Sequence, residues 1–434
     1  MGGAVKMQKR DLNLQVAYCF AEGGYWLMAV VFGAFITPLL ISKGFSEYEI
    51  GVITAVKCVA TCVFQILIAN FADKYAKKIQ LKYIIAVLLG IGFLTSIIFY
   101  FVTPGLYVTL IIFVLFGIGI TCTSPLIDSL SALFMNHGRK ISFTVARACG
   151  SVTWAIASLA LGTFCTIYGE NNLLLVQAFF ILFLIAVILL MEKVPTESIM
   201  TQEDKEVQEV SKEEEVHSVF WILKTYPNYT IYVVGVFLAT VCFNLSGCFM
   251  INAIEMSGGT QTHYGIAEFV LAISELPTAI LFSKLRKMWK LDTMFIIFAV
   301  SNTLKAFGIL LWGSVWLVVG FQAFEMFGFG LFYAANLYFV MEILPQADVV
   351  KGVSFVAMIN SGIGAGVGYY LAGVFMEAYG LRNLLIISVV FGIFSIIVMV
   401  YNSKKIREKE ERFDGNGKIS CWRQNEGKDI SGCS

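Results

Sequence analysis

Apolar side chains run in long blocks along this chain, without alternating polar positions. Twelve stretches of about 20 residues or more are dominated by them: 14–40, 50–71, 82–102, 106–134, 141–168, 173–191, 229–254, 263–282, 291–311, 315–343, 350–378 and 381–401. Roughly 20 apolar residues, rising 1.5 Å each, cross the ~30 Å hydrocarbon core of a bilayer. The lack of period-two alternation, and the need to pair every backbone group inside lipid, select helices over strands. The pattern predicts an all-α membrane protein with twelve transmembrane helices.

Between the sixth and seventh stretches the pattern lapses. Residues 192–228 are acid-rich, with Glu203-Asp204 and Glu213-Glu214-Glu215, and such a run reads as a solvated linker. The predicted division is an N-terminal six-helix bundle over 1–191, a cytoplasmic linker over 192–228, a C-terminal six-helix bundle over 229–402 and a disordered cytoplasmic tail over 403–434. Of the 31 Lys and Arg residues, 26 fall at the N-terminus, Lys74–Lys82, Arg139–Lys140, the linker, Lys284–Lys290, Lys351 and the tail. Cytoplasmic loops collect basic residues, so both termini are expected in the cytoplasm.

Composition narrows the class. Hydrophobic residues make up 58% of the chain and charged residues 14%, too much apolar surface for a soluble domain of this length to bury. A net charge of +1 gives no case for nucleic-acid binding. The ten cysteines show no paired metal-ligand spacing and read as small apolar residues inside helices. The first apolar run is too long for a signal-peptide core and reads as a retained helix. No nucleotide motif, metal cluster or nucleophile–histidine pair lies within a span, so neither an enzyme nor a cofactor is expected.

The charges inside the spans carry the chemistry, because such groups are costly in lipid and normally serve a pathway. Around the basic loop Asn136-His137-Gly138-Arg139-Lys140, with one helix ending near Phe134 and the next starting near Ile141, Asp128 and Arg147 each lie six residues from their helix end, about 9 Å into the membrane at the helical rise. They are expected to pair, with Trp154 two turns further along the face of Arg147. A guanidinium donates in a planar fork and a carboxylate accepts, which suits a polyol; an indole face suits the C–H side of a sugar ring. Glu275, Lys305 and Glu325 form a second group, fit for taking up and releasing a proton. Glu22 is expected to face the cavity, while Lys57 and Glu268 read either as partners or as vestibule charges. The glycine run 361–368 reads as a helix-packing seam rather than a phosphate loop, since no strand and no Lys-Ser/Thr ending accompany it.

Six spans, a central cytoplasmic linker and six more are the layout of major facilitator transporters, whose substrate site lies between the halves. The loop Asp73-Lys74-Tyr75-Ala76-Lys77-Lys78 resembles that superfamily's basic motif, with Ala69 where glycine is usual. The segment Ala146-Arg147-Ala148-Cys149-Gly150-Ser151-Val152-Thr153-Trp154 resembles helix 5 of the lactose permease branch, the oligosaccharide–proton symporters. The resemblance implies that Arg147 binds sugar hydroxyls and pairs with the helix-4 acid Asp128, that Trp154 stacks on the sugar, and that Glu275 joins sugar binding to proton coupling. Lys305 stands where that branch has an arginine. The chain departs from it where the branch's helix-10 histidine is Glu325 and the coupling glutamate one turn later is Gly328. The helix-7 aspartates fall on Val241 and Asn244, and a helix-11 lysine on Ser361. The resemblance implies a monomeric carrier in a bacterial-type inner membrane that imports a sugar or small oligosaccharide with a cation, H+ foremost. An uncoupled facilitator, a proton-driven exporter of a nucleoside, aromatic acid or drug, and a non-transporting receptor on the same scaffold stay open.

Overall fold

A computed structural model describes residues 9–76, 78–193 and 217–414. The first half contains α1 (Lys9–Gly33), α2 (Ile36–Ser42), α3 (Glu47–Tyr75), α4 (Leu81–Phe101), α5 (Leu106–Gly119), α6 (Ser124–Asn136), α7 (Phe143–Tyr168) and α8 (Leu173–Leu190). The second contains α9 (Val219–Thr225), α10 (Pro227–Cys248), α11 (Met250–Met256), α12 (Gln261–Met288), α13 (Leu291–Leu310), α14 (Val315–Phe321), α15 (Phe329–Ile343), α16 (Gln346–Met358) and α17 (Gly364–Asp414). No strand occurs among the described residues. Ten helical stretches are long and apolar enough to cross a membrane, and α12, bent by 60° beside Pro277, makes an eleventh. One of the ten, Gln346–Glu408, runs for 63 residues and contains Gly380 in a non-helical conformation at φ 75°.

Local signals set several ends. Ser46 and Glu49 form a reciprocal capping box at the start of α3, with bonds of 3.3 and 3.0 Å. Lys82, buried at the start of α4, donates to the carbonyls of Leu189 and Met191 at the end of α8, where the helix dipole favours a cation. Aromatic side chains fill each half: Phe32, Phe99, Phe113 and Phe116 in one, Tyr232, Phe295, Phe298 and Phe332 in the other. Large apolar side chains also cover the outer surface, Phe101, Tyr107 and Leu190 among them, as lipid contact requires.

Several expected helices are not continuous. The first span breaks at Ala34-Phe35, the fourth at a 3-10 turn over Thr121–Thr123, the seventh at Phe249, and the tenth at a 3-10 segment over Gln322–Phe327. A π-turn over Ile359–Ile363 precedes α17. Hydrophobicity marks where a chain can cross a membrane and carries no record of where packing partners open the helix. The tail also differs from expectation. Residues 403–414 continue the helix, and Ser403 and Arg407 hold the buried carboxylate of Asp292 at 2.5 and 3.0 Å. The rest of the tail and residues 194–216 of the linker lie outside the described residues. Within the expected linker, His217 contacts the buried Asp348 through its backbone N–H at 3.1 Å and its ring at 3.0 Å, and Lys351 donates to its carbonyl, so this end of the linker is docked rather than freely solvated.

The halves meet at two glycine crossings, α3 with α17 and α7 with α12. A Cβ on Gly51 would lie 2.7 Å from the Cα of Gly373, and one on Gly162 would lie 2.7 Å from the Cα of Gly265. Only hydrogen atoms fit there, so the backbones touch. Both crossings are at the end of the bundle away from Arg10 and Arg139. Hydrogen bonds join the halves at the same end: Tyr48 N–H to the Glu377 carboxylate at 2.8 Å, Thr166 with Thr262 at 2.9 Å, and Tyr264 O–H to the Ala34 carbonyl at 2.6 Å. The Thr37 hydroxyl meets the Cys248 thiol at 3.9 Å.

Gly162→Val is expected to force α7 and α12 apart, at a cost of about 1–3 kcal/mol for overpacking. The thermal midpoint of the purified protein should fall and alkylation of Cys248, followed residue by residue by mass spectrometry, should speed up. Gly90→Val, at a glycine with nothing within 4 Å of its added Cβ, should change neither. Equal behaviour of the two variants would show that the crossing is not a tight contact.

Candidate functional site

A cavity of about 410 Å³ lies between the halves. The first half contributes Trp26, Lys57, Arg147 and Trp154 to its wall, and the second contributes Glu268, Glu275, Glu325 and Tyr333. Cations and indoles thus stand on one side, carboxylates on the other.

The rim of the Trp154 indole presses on Gly33, where an added Cβ would come within 2.2 Å of Cη2. Trp26 lies in the same way on Gly150, with a clearance of 2.3 Å to Cδ1. The two indoles meet edge to face at 5.6 Å. Each glycine is a pad that lets an indole settle between α1 and α7, and any side chain there would displace it. The Arg147 guanidinium stacks over Trp26 at 4.2 Å from the ring centroid, a favourable cation–π geometry. Trp26 was missed by the sequence reading. The available signal was an indole in mid-span, away from the interfacial belts where Trp normally gathers.

The expected Asp128–Arg147 ion pair is not formed: Arg147 has no carboxylate within 4 Å among the described residues, and the Trp26 stack takes its guanidinium instead. Asp128 stands in the field of Glu22, with Arg147 acting on it from further away. Glu22 is buried and accepts from the Tyr18 hydroxyl at 3.0 Å. Neither acid is among the residues that line the cavity, so Glu22 does not face it as expected. The reason is rotational. Equal depth in the membrane follows from counting residues, but the facing direction of α6 depends on the 3-10 turn before it, which counting cannot show.

Glu275 does reach the cavity, and Arg147 and Lys305 both act on it electrostatically. Glu325 lies in the 3-10 segment rather than within a regular helix. One carboxylate oxygen accepts from the Phe329 N–H at 2.9 Å, capping α15, and the other takes the Lys305 ammonium in direct contact. Both members of this pair are almost fully buried, and the carboxylate still borders the cavity. Gly328 packs on that carboxyl, 3.1 Å from where a Cβ would stand, so the missing acid leaves room for Glu325. Lys57 and Glu268 are not partners. Lys57 donates to the Phe32 carbonyl at the end of α1 at 3.1 Å, and Glu268 stands on the opposite wall.

A polar chain completes the second half: the Asn360 amide donates to the Tyr333 hydroxyl at 3.2 Å and accepts from Thr240 at 2.8 Å. Asn244 and Ser361 also border the cavity, whereas Val241 is packed in the core. Of the glycine run, Gly362 meets Cys62 and Gly366 meets Val59, so the run does form a seam against α3. Asp73 and Lys74 are exposed at the end of α3, far from the cavity, with Lys74 over the Tyr75 ring. No group of three or more metal-ligating side chains occurs among the described residues.

Known proteins place this arrangement. No curated protein sequence matches the chain. Among solved structures, the nucleoside transporter NupG superposes with a TM-score of 0.72, at 16% identity over 92% of this chain and 99% of that one. A D-xylose–proton symporter does so with a TM-score of 0.66, at 13% identity over 89% and 96%. An inward-facing bacterial homologue of the human lysosomal transporter Spinster gives 0.63, at 14% identity over 92% and 98%. These identities establish a shared fold. The model of the MFS_1 like family matches residues 21–387, most of the chain. This multi-pass membrane protein belongs to the MFS_1 like family of major facilitator transporters.

Proposed function

We propose that the protein is a twelve-span secondary carrier that imports a sugar or small oligosaccharide together with a proton. At 1.5 Å per residue, the 63-residue stretch Gln346–Glu408 would extend roughly three bilayer cores, so its break at Gly380 favours two crossings and a total of twelve. The halves then correspond to 1–191 and 229–402, with both termini on the basic, cytoplasmic side of an inner membrane. In that orientation the glycine crossings close the outer end and the state is inward-facing.

The observation that carries the reading is the shared wall of Arg147, Trp154 and Glu275 around one cavity between the halves. Trp154 offers the flat apolar face, Arg147 the donors and Glu275 the acceptor that a polyol requires. Glu325 borders the same cavity with Lys305 behind it, an ion pair whose making and breaking would couple a proton to the cavity's state. A nucleoside is the second reading. Phe243, Phe329 and Tyr333 form an aromatic wall on the second half, suited to a planar base, while the first half holds a ribose. NupG, of the same fold, is a nucleoside transporter. Uptake of labelled sugars and nucleosides into proteoliposomes under an imposed proton gradient separates the two readings.

Arg147→Ala should lower substrate affinity by about 30-fold or more, since a charged hydrogen-bonding partner is worth about 2–5 kcal/mol. Arg147→Lys should fail nearly as badly, because an ammonium neither stacks on Trp26 as a plane nor donates as a fork. Equilibrium binding within threefold of the parent in either variant would remove Arg147 from the site.

Trp154→Tyr should bind weakly and Trp154→Ala hardly at all, a loss of about 1–3 kcal/mol of apolar contact. Gly33→Ala should mimic Trp154→Ala by displacing the indole rather than removing it. Normal binding by Gly33→Ala would refute the stacking platform.

Glu325→Gln should keep exchange and lose uphill accumulation. It also strands Lys305, and leaving one member of a buried pair costs about 3–5 kcal/mol. Adding Lys305→Met should therefore restore the thermal midpoint without restoring accumulation. Accumulation by Glu325→Gln would move coupling to another acid.

A further inference from the structure

Lys57 is a cation of the cavity wall that lacks a carboxylate. Its ammonium donates to the Phe32 carbonyl at 3.1 Å, and its stem rests on Gly117 of α5, where an added Cβ would stand 3.7 Å from Cγ. Each carboxylate on the opposite wall has a cation acting on it: Arg147 and Lys305 on Glu275, Lys305 on Glu268, and Lys305 in contact with Glu325. Lys57 has no such counterpart. Among the described residues no carboxylate lies within 4 Å of it, and the one titratable group acting on it is the neighbouring Cys58 thiol. Satisfying the backbone at this break does not call for a charge, since the next open carbonyl, that of Ala34, is met by the neutral Tyr264 hydroxyl. A half-buried ammonium with a single carbonyl acceptor keeps two N–H donors and its whole charge for something else.

The contacts along the first half's wall run in a line. Phe32, which holds the Lys57 ammonium, precedes Gly33, on which the rim of Trp154 presses. Trp154 meets Trp26 at 5.6 Å, and Trp26 carries the Arg147 guanidinium at 4.2 Å. Lys57 and Arg147 therefore stand at the two ends of a platform made by the indoles. From Trp26 to Phe32 the rise along α1 is about 9 Å, room for a ring between the two cations.

We propose that Lys57 is an anion subsite and that the solute it selects is a sugar acid, with its carboxylate on Lys57, its ring against Trp154 and its hydroxyls on Arg147 and Glu275. The proposal rests on the sugar reading of the Arg147–Trp154–Glu275 wall and adds one negative charge to it. A carboxylate matches the donors that are left, two N–H groups and one positive charge against two oxygens and one negative charge. A phosphate ester suits the place less well. It carries up to two charges and favours an arginine fork or a helix N-terminus, whereas α1 presents its C-terminal end here. That end favours the ammonium too, so the rival reading of Lys57 is a cap on α1 and nothing more. A cap needs one donor and no charge, and that difference makes the two readings separable. A neutral sugar would leave the ammonium as it stands, while the corresponding acid would pair it.

The test sets each acid beside the neutral sugar of the same ring, D-glucuronate with D-glucose and D-galacturonate with D-galactose, at one ionic strength. Equilibrium binding to the purified protein is the first readout. The second is the rate at which an amine-reactive reagent modifies Lys57, followed residue by residue by mass spectrometry. In the parent, at least one acid should bind about tenfold or more tightly than its neutral partner, since a hydrogen bond to a charged group is worth roughly that factor. The same acid should slow modification of Lys57, and the neutral sugar should not. Lys57→Gln keeps an N–H for the Phe32 carbonyl and removes the charge. It should hold the parent's thermal midpoint and bring the acid-to-neutral affinity ratio to about one. A preference for the acid that survives in Lys57→Gln overturns the subsite. So does a parent that binds the neutral sugars as tightly as the acids, an outcome that leaves the sugar reading intact. If the parent binds none of the four, Lys57 protection is measured with benzoate against benzamide, a ring with and without the negative charge. Protection by benzoate alone supports the anion subsite while the sugar reading falls, and equal or absent protection overturns the subsite.

Discussion

A backbone group that leaves a helix inside a bilayer must find a partner in the protein, and that constraint governs this molecule. Two breaks in particular are met by side chains from neighbouring helices. At Gly33–Phe35, Lys57 donates to the Phe32 carbonyl and Tyr264 to that of Ala34. In the 3-10 segment of the tenth span, Ser301 and Thr278 donate to the carbonyls of Phe324 and Met326, while Glu325 accepts from Phe329. The polar residues that hold the breaks, Lys57, Tyr264 and Glu325, are also residues of the cavity wall. Satisfying the backbone and lining a binding site are one task here.

The two halves contribute unlike chemistry. Two indoles and a guanidinium lying over one of them come from α1 and α7, and carboxylates come from α12 and the tenth span. Opposite charges therefore face each other across the cavity. The glycine crossings allow the halves to touch at one end without side chains in the way.

Much of the fold was legible because apolar length is a property of the chain alone. Arg147, Trp154, Glu275 and Glu325 were identifiable as unusual, since charge and indole in mid-span are costly or rare. Their partners were not readable. Arg147 was matched to Asp128 by depth, yet the rotation of α6 turned Asp128 toward Glu22, and Trp26 took the guanidinium. Glu325 was grouped with Glu275 and Lys305, and it is held on both oxygens, by Lys305 and by the Phe329 N–H.

The sequence by itself determined that this protein crosses a membrane many times as helices, since burying so much apolar surface any other way leaves backbone groups unpaired. It also singled out the charges that sit within apolar stretches. Tertiary structure decided which of those charges meet. Pairing depends on helix rotation and on where helices break, and both are set by contacts between residues far apart in the chain, such as Gly150 under Trp26 and Lys305 beside Glu325.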